Sequence, residues 1–415
     1  MKLLYVDGLE KARQKLLDTA AGWEAPVEEV GLEEACGRVL ARTIHAREEL
    51  PGFYRSTVDG YAVKAADTSG AGESIPAFLK LVDTVQMGQP TKTSLSPGQC
   101  AYVPTGGMLP DGADAMVMIE YSERLGHEIA IYAPAAPGRG IVRPGEDIRP
   151  GDVLALRGAR LRPQEIGTLA AAGICGVPVC RPFRLTLIST GDELTAPAEA
   201  PAPGQVRDVN RYALAALARR NGFEVVRALT LPDAENLLEQ AVRQALPDSD
   251  LVAVSGGSSQ GEQDRTCAVL DRVGNPGVFT HGLALKPGKP TIFGWDSASR
   301  TLLAGLPGHP VSAMMVFDLF LCWLVRQLTG QPEPKSIPAR LTANVPASPG
   351  KTTCQMVRLR QEGAGCLAEP VYGKSGLITT LTRADGYLMI ERNREGLAEG
   401  APVLIHPFSG GDFYG

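Results

Sequence analysis

The stretch SGGSSQGEQD, residues 255–264, follows the apolar run Leu251 to Val254 and sets three glycines, three serines and two carboxylates in ten positions. Its first residues, Ser255, Gly256 and Gly257, are almost bare backbone. Such backbone lets a ligand approach the chain closely and leaves amide N–H groups for oxyanion oxygens. Two other loops have the same setting: STGDEL (189–194) follows the apolar RLTLI, and GLPGHPVS (305–312), with Gly308 inside it, follows TLLA. Ligands of open parallel sheets bind beyond the carboxyl ends of the strands. Three such loops therefore predict one shared mouth suited to phosphate, although any one of them alone is explained as well by a tight turn.

The same loops bring Asp192, Glu193, Glu262 and Asp264. Beside a phosphate these would repel the ligand unless a divalent cation sits between, so Mg²⁺ bridging a pyrophosphate reconciles the two sets. The plainer alternative is that Asp192 caps the next segment and Glu262 favours a helix dipole. LKPGKP (285–290) holds Lys286 and Lys289 around a Pro-Gly turn, which suits a tetrahedral oxyanion; a solvated turn is the alternative. Upstream, STVDGYAV (56–63), VPTGGMLPDGADAMVMIE (103–120) and VRPGEDI (142–148) are rich in Gly and Asp between apolar residues, which turn chemistry explains in large part.

Positioning these loops takes several kinds of element. Residues 8–20 and 31–41 carry helical apolar spacing, 52–150 alternate in short runs broken by Gly and Pro, and 163–173 return to helical spacing. From Arg184 onward, apolar strands alternate with helices, which predicts an α/β domain with a mainly parallel sheet. The run from Val311 to Leu328 contains Asp318 and Arg326 and reads as a buried core helix, not a membrane span. Beyond the Pro-rich GQPEPKSIP (330–338) short strands predict a terminal β barrel. The expected organisation is an N-terminal helical segment (1–50) packing with a return segment (150–180), an inserted β domain (51–149), the α/β domain (181–331) and the barrel (332–415).

Composition excludes several classes. With 41 basic and 46 acidic residues, net −5, there is no general field for nucleic acid or an anionic membrane, so an anion site must be local. The first residues become charged too soon for a signal peptide, which leads us to expect a cytoplasmic protein. Eight cysteines without a paired C-x-x-C and five scattered histidines predict no Cys/His metal site.

Taken together, STVDGYAV, PTGGMLPDGADAMVMIE, VRPGEDI, LISTGDEL, SGGSSQGEQD, LKPGKP and GLPGHPVS resemble, in order and along nearly the whole chain, the molybdopterin molybdenumtransferase family, the molybdenum insertases related to the gephyrin E domain. The resemblance implies an α/β multidomain protein: an elongated helical segment, an inserted β domain, an α/β molybdopterin-binding domain and a C-terminal β barrel. It also implies a homodimer whose cleft lies between the α/β domain of one subunit and the inserted domain of the other. The implied reaction takes adenylylated molybdopterin and molybdate, uses Mg²⁺ and releases AMP. Matched position by position, the functional acids are Asp59, Asp147, Glu193, Asp233 and Asp264, with Glu193 and Asp264 as metal ligands and Thr105 beside them. Lys286, Lys289, Arg358 and Ser375 match the positions that hold molybdate. Ser258, Gln260, His309, Val58 and Asp385 depart from the family pattern; His309 stands where Asn is usual. The rival readings are an adenylyltransferase acting one step earlier, which the extra domains oppose, and a non-catalytic molybdopterin-binding scaffold.

Overall fold

The apolar runs of the second half assemble into one six-stranded sheet in the computed structural model, which describes residues 6–256, 260–363 and 365–408, the side chains of 260–264 excepted. Its strands are β1 (Phe183–Thr190), β2 (Phe223–Leu231), β3 (Leu251–Gly256), β4 (Pro276–His281), β5 (Ile292–Asp296) and β6 (Thr301–Leu306), in the order β2-β1-β3-β6-β5-β4. Only β5 runs against the others. Five helices cover it: α1 (Leu9–Thr19), α2 (Asn210–Arg220), α3 (Glu235–Ala245), α4 (Gln260–Val273) and α5 (Pro310–Thr329). Leu251 and Ala253 of β3 face α1, α2 and α5, while Val252 and Val254 face α3 and α4. A strand covered on both faces reads as a continuous apolar run, and so β3 shows no alternation in the sequence.

α5 is apolar and long enough to cross a membrane, but 78% of its most apolar window is buried inside the protein. It is the core helix that its sequence predicts. β1 leads to β2 on one side, and the chain then crosses through α3 to β3 on the other side of β1. The topological switch point therefore falls between the carboxyl ends of β1 and β3, where ligands of such sheets bind.

The inserted region forms its own six-stranded sheet, in the order Ala115–Met118, Gly60–Val63, Gln99–Val103, Ala77–Thr84, Glu128–Ile131, Ser122–Leu125. The chain enters and leaves it through a module in which Val27–Gly31 pairs with Gly176–Cys180, and Ile44–His45 with Val153–Ala155, around the helix Pro163–Ala171. Two sequence expectations change here. The helix expected over 31–41 is one turn, Leu32–Ala35, because Gly37 takes φ +79° and Val39 and Leu40 bridge Arg160 and Val179. The N-terminal segment also divides between two cores: Ala35 and Leu40 pack with Leu161, Leu169 and Val177, whereas α1 packs on α5 and β4.

The terminal strands are β7 (Ile337–Leu341), β8 (Thr352–Glu362), β9 (Gly365–Pro370), β10 (Gly386–Ile390) and β11 (Pro402–Pro407). The pairings β8–β9, β9–β7, β7–β11, β11–β10 and β10–β8 close them into a five-stranded barrel. The barrel docks on the α/β unit in two ways. Leu285–Lys286 pairs in parallel with Thr352–Thr353 of β8, and Cys354, Met356 and Tyr387 join the core formed with α5.

Candidate functional site

β1, β3 and β6 end level with one another, since Thr190 pairs with Gly256 and Ser255 with Leu306. Gly191, Gly256 and Gly308 therefore sit at one sheet edge, and Gly257 lies outside the described residues. Gly256 has φ +149°, and a Cβ there would stand 2.2 Å from the carbonyl oxygen of Thr190, so any side chain would push the β1 and β3 ends apart.

Two residues that the sequence reading missed tie this edge together. The Asn210 side chain, at the start of α2, donates from Nδ2 to Ser255 Oγ (2.7 Å) and to the Gly308 carbonyl (2.6 Å). Its Oδ1 is buried without a partner among the described residues, an acceptor placed between two candidate ligand loops. Asp208, 3% exposed, accepts from Ser189 Oγ (3.2 Å), Thr230 Oγ1 (2.8 Å) and the Arg211 N–H (3.0 Å), so it fixes the ends of β1 and β2 and the start of α2. The available signal was the D-x-N preceding a helical pattern, a helix-start signature.

Glu193 and Asp233 lie at the same edge. A Cβ on Gly191 would be 2.6 Å from Glu193 Oε2, so the carboxylate folds back over the end of β1. Asp192 Oδ1 accepts the Asp233 N–H at 3.0 Å, and Asp233 borders a small hollow with Thr190, Arg265 and Thr266. The Asp264 side chain lies outside the described residues; its backbone is in the first turns of α4. Among the described residues, no three His, Cys, Asp or Glu side chains converge on a metal position.

Asp59, Thr105 and Asp147 occupy a different part of the chain. Asp59 Oδ1 accepts the Thr105 N–H at 2.7 Å on the inserted sheet, and Asp147 lines an open hollow with Asp152, Gln164 and Thr168. Of the acids that the sequence reading sets beside Thr105, Asp59 is the one hydrogen-bonded to it here. Neither residue, nor Asp147, lines the hollows at the α/β edge.

Between the α/β unit and the barrel opens a cleft of 720 Å³. Its lining includes Lys286 and Lys289 from the α/β side and Lys351, Lys374 and Ser375 from the barrel side, but no Asp or Glu. None of the four ammonium groups forms an ion pair among the described residues. The turn that carries the first two requires glycine: Gly288 has φ +123°, and a Cβ would stand 2.8 Å from Val316 Cγ2. Burial pushes the Cys354 thiol in the cleft wall up to about 12, so it contributes no negative charge. Ser375 is tied to the start of α5 twice, its carbonyl accepting the Val311 N–H (3.2 Å) and its Oγ lying 2.7 Å from His309 Nδ1.

Arg358 does not join this group. Cys354 and Met356 face outward from the barrel toward α5 while Val357 faces the barrel core, so alternation puts Arg358 on the outward face too. It is one strand repeat, about 6–7 Å, beyond Met356, exposed and outside the cleft lining. Lys351 and Lys374, absent from the sequence reading, line the cleft. Neither had a local signal, because only barrel docking brings them to the cleft.

The comparisons with known proteins agree with this arrangement along the chain. Residues 8–173 match the family description "MoeA N-terminal region (domain I and II)", 186–327 "Probable molybdopterin binding domain" and 338–408 "MoeA C-terminal region (domain IV)". A molybdopterin molybdenumtransferase of Haemophilus influenzae is 32% identical over 97% of this chain and 98% of its own length. A second, from Bacillus subtilis, is 30% identical over 92% of this chain and 90% of its own. The crystal structure of a molybdopterin biosynthesis MoeA protein from Pyrococcus horikoshii superposes with a TM-score of 0.83 at 36% identity, covering 98% of this chain and 100% of that one. With all three regions matched in order and relatives aligned end to end, the chain belongs to the MoeA family of molybdopterin molybdenumtransferases.

Proposed function

We propose that this protein transfers molybdenum from molybdate into adenylylated molybdopterin, with release of AMP. The observation that carries this reading is the lysine cleft, with four ammonium groups and no carboxylate, beside an edge where glycine backbone meets carboxylates. A tetrahedral dianion needs the first environment and a pyrophosphate the second, and the two share Gly308 and the start of α5.

In this reading Lys286, Lys289, Lys351 and Lys374 neutralise molybdate, and Ser375 orients it by hydrogen bonding. Gly256, Gly257 and Gly308 offer backbone to the pyrophosphate, and Asn210 Oδ1 accepts an N–H of the pterin or nucleotide. A divalent cation fits the carboxylate described at the edge: Glu193 is a hard oxygen ligand, Asp264 is the second ligand the family resemblance implies, and Mg²⁺ usually takes one or two carboxylates plus phosphate oxygens and water, so no preformed cage is required. When bound, it would neutralise charge on the departing phosphate. Asp59, Thr105 and Asp147 reach the substrate from a second subunit of a homodimer, which accounts for their distance in sequence and sheet from the glycine edge. The protein acts in the cytoplasm on small molecules.

Product analysis tests the reaction. Incubated with adenylylated molybdopterin and molybdate, the protein should release AMP. Pyrophosphate from ATP would instead indicate the adenylyltransferase reaction, and tight pterin binding without either product would indicate a scaffold.

A further inference from the structure

Ser375 meets a conflict in the cleft. To bind an oxyanion its hydroxyl must donate its proton toward the ligand, yet its Oγ lies 2.7 Å from His309 Nδ1. If Nδ1 of a neutral ring is the acceptor, Ser375 O–H donates to it and turns only lone pairs toward the anion. If Nδ1 carries a proton, His309 donates to Ser375 Oγ and the serine proton is free for the ligand. The imidazolium has this second arrangement always, because both ring nitrogens are donors.

The surroundings set when that form is present. Lys286 and Lys289 face the cleft from the Pro-Gly turn, and Lys351, Cys354, Tyr372 and Lys374 from the barrel; no carboxylate is among the lining residues. A bound dianion among these ammonium groups favours the imidazolium.

We propose that His309 couples oxyanion binding to proton uptake: the ring gains a proton as the anion enters, and its Nδ1–H then fixes Ser375 as a donor to the ligand. His309 is thus a positioning residue acting through Ser375. The proposal rests on the reading of the lysine cleft as the oxyanion site, and it adds a pH control that this reading does not require. Binding takes up a proton wherever the free ring is neutral, so affinity is highest at low pH and falls as pH rises. An imidazole ordinarily changes charge between pH 5 and 8, whereas lysine and tyrosine ordinarily titrate near pH 10.

The test is titration calorimetry of molybdate into the whole protein at several values between pH 6.5 and 8.5, each in two buffers of different ionisation enthalpy. The wild-type affinity should fall by about fivefold to tenfold over this range, and the heat should depend on the buffer with the sign of proton uptake. His309→Asn has an amide that can donate to Ser375 at every pH, so it should bind molybdate with a flat pH profile and no buffer dependence. His309→Gln serves in the same way if the first variant melts early. Wild-type binding without proton uptake, or a pH slope retained in both variants, would overturn the coupling and leave the oxyanion site standing. Absence of molybdate binding throughout would remove the cleft assignment and the coupling with it.

Discussion

Replacing Lys289 by Ala takes away one of four ammonium groups around a cleft that has no carboxylate to rebalance them. Charge-assisted hydrogen bonds contribute about 1.5–3 kcal/mol. Lys289 is exposed, and salt screens exposed charges, so we expect a value at or somewhat below the bottom of that range, about 1–2 kcal/mol. That corresponds to a fivefold to thirtyfold loss of molybdate affinity, at about 1.4 kcal/mol per factor of ten. Lys351→Ala should lose a comparable amount. Arg358→Ala, one strand repeat outside the lining, should lose less than about threefold. The assay is the molybdate concentration dependence of AMP release for each variant, with direct binding of adenylylated molybdopterin as the control, which should change much less. Unchanged molybdate dependence in Lys289→Ala together with a large loss in Arg358→Ala would refute the placement of the anion among the lysines.

Gly256→Ala should destabilise the fold by at least about 2 kcal/mol, since its Cβ would meet the Thr190 carbonyl at 2.2 Å; the urea midpoint reads this, and an unchanged midpoint would contradict it. Asp7, 5% exposed, anchors α1 through Lys15 (2.5 Å), Lys11 (3.1 Å) and Thr280 Oγ1 (3.2 Å). Burial alone would raise its carboxyl, but the two ammonium groups outweigh it and hold it below the usual range. A depressed acid gives stability that is present above its unfolded pKa and is lost as pH falls through the folded one. Asp7→Asn should therefore cost about 1–3 kcal/mol in thermal unfolding at pH 7, with a gap that begins to narrow as pH falls below the ordinary Asp value of about 3.9; a gap independent of pH would mean packing, not charge, anchors α1. For the shared cleft, mixing Asp59→Ala with Asp264→Ala protein should restore part of the lost activity, and no rescue in verified heterodimers would place both acids in one subunit's site.

How much was legible in the sequence depended on the range of the interaction. β1, β3 and β6 are apolar runs bounded by turn residues, and their shared edge follows from sheet topology, so Gly191, Gly256 and Gly308 could be grouped before any coordinates. Asp59 and Thr105 were named separately through motif resemblance, and Lys286 with Lys289 through a short turn. The turn at Leu32–Ala35 was misread as a longer helix because helical spacing continued past Gly37, whose positive φ ends it. Lys351, Lys374 and the His309–Ser375 contact could not be read, because they depend on how the barrel docks on α5 and not on local spacing.

The central claim is that the lysine cleft and the glycine edge form one site in which molybdenum enters the pterin substrate as AMP is released from its pyrophosphate. Its most direct measurement is a single turnover with enzyme in excess of adenylylated molybdopterin, in which AMP released and molybdenum retained in the isolated pterin fraction are both quantified, with and without molybdate. The account predicts one molybdenum per AMP when molybdate is present, and loss of both in the Lys286→Ala/Lys289→Ala double variant at a molybdate concentration that saturates the wild type. AMP release without molybdenum in the pterin, or full transfer by the double variant at that concentration, would contradict it.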